Sequence, residues 1–73
     1  MAKKYGKIKI STEYITLGQL VKFANLVSSG SEAKMFILEE NILVNGEDCK
    51  MRGKKLRPGD KIVINKTTFL EIE

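Results

Sequence analysis

Histidine and tryptophan are absent from this chain, and cysteine and proline occur once each. Without histidine the commonest general base near neutral pH is missing. The acids show no catalytic spacing, and no phosphate-binding loop, dinucleotide fingerprint or metal-ligand spacing appears. A chain of 73 residues makes one domain, buries roughly 60% of the surface its unfolded form exposes, and has little volume for a deep pocket. No enzymatic activity, no cofactor, no metal and no small-molecule substrate are therefore expected. The single cysteine, Cys49, excludes an internal disulfide and reads as a small, partly buried side chain in a reducing cytoplasm. No apolar run approaches the roughly 20 residues that cross a bilayer. The basic N-terminus also lacks the apolar stretch of a signal peptide. The expected setting is cytoplasmic, with no membrane partner, and the expected state is a monomer.

Positive charge is present, and it is segregated. The formal net charge is +4. Lys3, Lys4, Lys7 and Lys9 open the chain without an acid, and Lys50, Arg52, Lys54, Lys55 and Arg57 crowd one short stretch. Between them the acids Glu13, Glu32, Glu39, Glu40, Glu47 and Asp48 face only Lys22 and Lys34. Like charges held together on a folded surface repel, and a polyanion relieves that repulsion because each neutralised phosphate releases a condensed counterion. A basic run alone describes a solvated loop equally well. The segregation is what favours an acidic partner.

Hydrophobic periodicity supplies the scaffold. Residues 5–10 alternate, placing Ile8 and Ile10 opposite Lys7 and Lys9, as in a half-buried strand. Ser11, Thr12 and Glu13 read as a connector. Thr16 with Gln19, and Ser29 with Glu32, have the spacing of capping boxes and mark two helix starts. Leu17, Leu20, Val21 and Ala24 form one face of the first helix, predicted to end near Leu26. The second is predicted from about Gly30 to Glu40, with Ala33, Phe36 and Ile37 inward. Beyond Asn41 the period changes to two. Ile42 to Val44 reads as a strand, Asn45-Gly46 as a hairpin turn, and Glu47 to Met51 as the returning strand. Gly53 permits a turn inside the basic run, and Pro58-Gly59 predicts a type II turn that Asp60 closes. Residues 61–65 and 68–72 read as the last strands. Two helices beside a mostly antiparallel sheet make an α+β fold in a single domain spanning residues 1–73.

Two local features bear on recognition. The backbone amides at the start of the second helix, Ser28-Ser29-Gly30-Ser31, could hold a phosphate. Read alone, capping by Ser29 and Glu32 accounts for those residues without a ligand. Aromatics are few. Phe36 and Phe69 fall at core positions, and Phe23 lies off the main apolar face, where contact with the N-terminal strand is expected in preference to stacking on a base. Without an exposed aromatic platform, recognition of a structured RNA by shape and phosphates is the natural expectation.

Five segments in order resemble the S-four RNA-binding domain, the family named after ribosomal small-subunit protein four. They are Thr16 to Leu20, Ser28 to Lys34, Val44 to Glu47, Arg52 to Leu56, and Gly59-Asp60. The resemblance is strongest over residues 15–65 and is nearest to small stand-alone members of the YaaA type. It implies two packed helices against a small sheet, the alpha-L RNA-binding motif, and binding to structured RNA: ribosomal RNA first, transfer RNA second. The implied setting is assembly or maintenance of the large ribosomal subunit. Carried onto this chain, the implied RNA-binding face comprises Lys22 and Asn25 on the first helix, Ser29, Ser31 and Lys34 at the second, and Lys50, Arg52, Lys54, Lys55 and Arg57. Many members place an arginine where this chain has Gly30, which shifts the burden to Lys34 and the 50–57 loop. Two other classes stand as alternatives. A ubiquitin-like protein-interaction module suits the length, but the chain ends Leu70-Glu71-Ile72-Glu73 where sulfur carriers end in two glycines. A DNA-binding helix pair is disfavoured because the would-be recognition helix carries one basic residue against three acids.

Overall fold

The computed structural model describes residues 6–73. Lys3, Lys4 and the predicted first position of the N-terminal strand, Tyr5, lie outside the described residues. The chain forms β1 (Gly6–Ile8), β2 (Ile15–Thr16), α1 (Leu17–Phe23), α2 (Gly30–Glu39), β3 (Ile42–Val44), β4 (Glu47–Asp48), β5 (Lys55–Leu56), β6 (Lys61–Ile64) and β7 (Thr68–Ile72). Five strands make one sheet in the order β1-β7-β6-β3-β4. All of its neighbours are antiparallel except β1, which runs parallel to β7. β2 and β5 form a separate antiparallel ribbon. This is the expected α+β architecture.

Alternation sets the core. Ile42 and Val44, Ile62 and Ile64, and Leu70 and Ile72 are buried, whereas the residues between them, Leu43, Val63 and Glu71, are only half-buried. The inward set meets Leu17, Leu20 and Val21 of α1 and Ala33 and Ile37 of α2, with Leu56 of β5 completing the cluster. Neither helix is long enough to persist alone, so this burial is what holds them. Phe36 packs against the cluster but is half-buried.

The helix ends explain several boundaries. Thr16 and Gln19 form a complete capping box: the Gln19 N–H donates to Thr16 Oγ1 at 3.3 Å, and the Thr16 N–H donates to Gln19 Oε1 at 2.9 Å. α1 stops at Phe23, three residues before the expected Leu26. Asn25 takes a left-handed φ of 61°, while Leu26 N–H donates to Val21 O at 2.9 Å and Asn25 N–H to Lys22 O at 3.0 Å. These two bonds are a Schellman closure, which favours glycine and tolerates asparagine. At α2 only half of the expected box forms. Ser29 Oγ accepts from the Glu32 N–H at 3.2 Å, but the Glu32 carboxylate accepts from Ser28 Oγ at 2.6 Å.

Turns behave as their residues dictate. Asn45 and Gly46 both have positive φ, 52° and 87°, the geometry of a type I′ hairpin. The returning strand β4 ends at Asp48, short of the expected Met51, although Cys49 N–H still donates to Ile42 O at 3.0 Å. Gly59 has φ 98°, and Asp60 N–H donates to Arg57 O at 2.9 Å across the Pro58-Gly59 turn. Asp60 Oδ2 accepts from the Arg57 N–H at 2.8 Å, and its Oδ1 accepts from Asn45 Nδ2 at 3.1 Å, tying two turns together. Where β1 meets β7, Lys7 Nζ donates to Glu71 Oε1 at 2.8 Å.

Candidate nucleic-acid interface

The basic loop is fastened to the start of α1 through its backbone. Leu17 N–H donates to Lys54 O and Gly18 N–H to Arg52 O, each at 2.9 Å. With Gln19 N–H capped by Thr16, the first amides of this helix are all used within the protein. The loop can approach this closely because residue 18 is glycine. A Cβ there would stand 2.5 Å from Arg52 Cγ, well inside van der Waals contact. The absent side chain thus lets the Arg52 stem lie across α1.

That placement carries Arg52 to α2. Arg52 and Gly53 line an open groove of about 360 Å³ with Gly18, Gln19 and Lys22 of α1 and Gly30 and Ala33 of α2. No acceptor among the described residues takes the N–H of Gly30 or Ser31, so these first amides of α2 remain available, at the positive end of the helix dipole. Lys34 stands one turn above Gly30, at the i, i+4 spacing that shares a helix face. The Glu32 carboxylate is drawn to Ser28, a residue that does not border the Arg52 groove. A Cβ at Gly30 would meet nothing within 4 Å, so a side chain at that position would project into open space. The ensemble sets two cations, Arg52 and Lys22, beside a backbone donor of α2 with no acceptor among the described residues.

The remaining residues named from sequence are distributed more widely. Asn25 is the left-handed residue that ends α1, so backbone geometry accounts for it. Ser29 uses its hydroxyl for the α2 cap, and Ser31 lines a different groove, with Leu26 and Met35. Lys50 Nζ donates to the carbonyl of Glu40, the C-cap of α2, at the far end of that helix from Gly30. Lys54 lines a groove with the acids Glu47 and Asp48 of the β3–β4 hairpin. Lys55 turns instead to Tyr14, with Nζ 5.0 Å from the centre of the ring. Arg57 is exposed beside the Pro58-Gly59 turn. The five basic side chains of residues 50–57 therefore do not converge at one point, and Arg52 alone is in the groove at the start of α2.

Sequence reasoning missed two things here. One is the glycine contact at residue 18, signalled only by a glycine in the first turn of a helix, where that residue is costly. The other is how bare Phe23 is: it shares a groove with Lys9 and Ile10 of the predicted N-terminal strand, yet it is 62% exposed. Among the described residues, no group of three or more histidine, cysteine or carboxylate side chains is placed to hold a metal, and no helix is long and apolar enough to cross a membrane.

Comparison with known proteins agrees with the fold. The family model described as S4 domain matches residues 8–72. The chain is also similar to the probable ribosome maturation protein RlbA of Bacillus subtilis (strain 168), with 49% identity over 57 residues, covering 78% of this chain and 80% of that protein.

Proposed function

The chain belongs to the S4-domain family, and on that premise we propose that it is a non-catalytic, cytoplasmic module that binds structured RNA, ribosomal RNA in the first place, during maturation of the large ribosomal subunit. The observation that carries the RNA reading is the groove in which Arg52 and Lys22 stand beside Gly30, whose amide at the start of α2 is open. Phosphate oxygens of a folded RNA accept from that amide and pair with the two cations, while Lys34 extends the contact along α2. Lys54, Lys55 and Arg57 lie outside this groove on the same basic loop and add to the positive potential of the surface, which speeds encounter and adds phosphate contacts along the RNA. Lys50, held at the α2 C-cap, acts at the margin. The relative's printed role in ribosome maturation supports the ribosomal setting, and no feature of the groove reads bases in a duplex.

The test is binding to purified large-subunit ribosomal RNA, to small-subunit ribosomal RNA and to transfer RNA, measured by filter retention across a salt series. Tightest retention of large-subunit RNA, with Arg52→Gln weakening it and lowering the salt slope by about one, is expected. Equal, weak retention of all three RNAs, unaffected by Arg52→Gln, would overturn the reading.

A further inference from the structure

A second groove adjoins the Arg52 centre, with Thr16 and Gln19 bordering both. It lies between α1 and the segment that precedes it and encloses about 1010 Å³ of open space, walled by Lys9, Ile10, Tyr14 and Ile15 on one side and by Phe23 on the other. Phe23 is 62% exposed. An aromatic ring left this bare at the end of a seven-residue helix contributes little to the core, and the cluster of buried residues is complete without it. Lys9 lines the groove and the Lys55 ammonium stands over the Tyr14 ring that walls it, so two cations lie on the side facing Phe23 against the single carboxylate of Glu13. A bare aromatic ring facing positive charges across a groove complements a nucleotide: the base covers the ring, and the adjoining phosphates meet the cations.

We propose that this groove takes one unpaired base of the bound RNA, stacked on Phe23, with Lys9 and Lys55 receiving the adjoining phosphates. The inference rests on the RNA-binding reading and extends it from shape and charge to a single-stranded nucleotide flanking the structured region. Stacking is largely indifferent to base identity, so the groove selects for an unpaired nucleotide at a fixed distance from the Arg52 contact rather than for a particular base.

The probe is intact, folded large-subunit ribosomal RNA, with the full-length protein as wild type, Phe23→Leu and Phe23→Tyr. Ultraviolet crosslinking followed by peptide mapping should place nucleotide adducts on Phe23 or Tyr14. Phe23→Leu should weaken retention of the RNA by about 5- to 150-fold, the range expected for the loss of one stacked base, with the salt slope unchanged. Phe23→Tyr should restore retention. The exposure of the ring means that unfolding midpoints should match among the three proteins, which separates lost stacking from lost fold. Adducts confined to residues outside 9–23, with Phe23→Leu binding as wild type, would overturn the assignment while leaving the RNA reading intact. The assignment also falls if Phe23→Leu binds RNA normally but loses a protein contact on the ribosome. If the wild type retains no RNA at all, the RNA-binding reading fails, and this groove assignment fails with it.

Discussion

The close pass of Arg52 over Gly18 can be tested by a double-mutant cycle with opposing terms. Replacing a helical glycine by alanine ordinarily stabilises by up to about 1 kcal/mol, less in a first turn. Here the added Cβ would stand 2.5 Å from Arg52 Cγ, with the Arg52 carbonyl oxygen at 3.4 Å. Crowding of this kind in packed structure costs about 1–3 kcal/mol. Gly18→Ala in the wild-type background should therefore be neutral or destabilising. In an Arg52→Ala background the Cγ is gone, only the ordinary 3.4 Å carbonyl contact remains, and the same alanine should recover its favourable propensity. The expected coupling is about 1–3 kcal/mol, well beyond the additivity error of about 0.5 kcal/mol for independent sites. Urea unfolding of the four proteins measures it. RNA retention provides a second axis, because Gly18→Ala should displace the arginine and imitate part of the Arg52→Gln loss. If alanine at 18 stabilises both backgrounds equally, the arginine is not held across the helix and the groove loses its central cation.

Three further outcomes are expected. Gly30→Arg projects into open space and should tighten RNA retention while raising the salt slope by about one; a looser complex would place the RNA elsewhere. Neutralising Lys54 and Lys55 together should lower that slope by about two with stability changed by less than about 0.5 kcal/mol, and an unchanged slope would remove both from the interface. The Lys7–Glu71 hydrogen bond, as the leading cause, holds Glu71 below its ordinary 4.5 and Lys7 above its ordinary 10.5. Glu71, with its lowered value, stabilises the fold above pH 4.5 and loses that contribution as pH falls through the folded value. Lys7, with its raised value, stabilises below pH 10.5 and loses that contribution as pH rises through its folded value. Thermal midpoints scanned over pH should accordingly show shallower falls at both extremes in Glu71→Gln than in wild type, and parallel curves would show that this exposed pair contributes nothing.

What could be read from the chain was local chemistry, and what could not was juxtaposition. The Thr16–Gln19 box, the Asn45-Gly46 turn and the Pro58-Gly59 turn are each written in a few adjacent residues whose side chains satisfy nearby backbone groups, and all three appear. Ile15–Thr16 pairs with Lys55–Leu56, a two-residue ribbon too short for any periodicity and created by the loop folding back on α1. Asn25 drew attention as a polar residue near a recognition surface, yet its conformation serves the turn between the helices. Lys50 and Lys55 belong to one charged run, but the Glu40 carbonyl and the Tyr14 ring that claim them are brought there only by the tertiary fold. Phe23 shows the same limit: its neighbourhood with the N-terminal segment is legible, but the groove that leaves the ring 62% exposed is set by the path of residues 9–15.

The parallel pairing of β1 with β7 has a consequence for how the molecule assembles. Every other junction of the main sheet can grow by zipping a neighbour through a turn or by closing a modest loop, but β1 has no partner until a strand 64 residues further along is in position. Closing so long a loop delays the contact, because the entropy is lost before any stabilising contact forms. The helix pair, the basic loop fastened to it and the β3–β6 pairing can therefore mature first, with the edge strand added as a final clasp. In native-state hydrogen exchange, β1 should open as a unit at lower free energy than the interior strands β6 and β3, so that one margin of the sheet breathes while the Arg52 surface stays rigid.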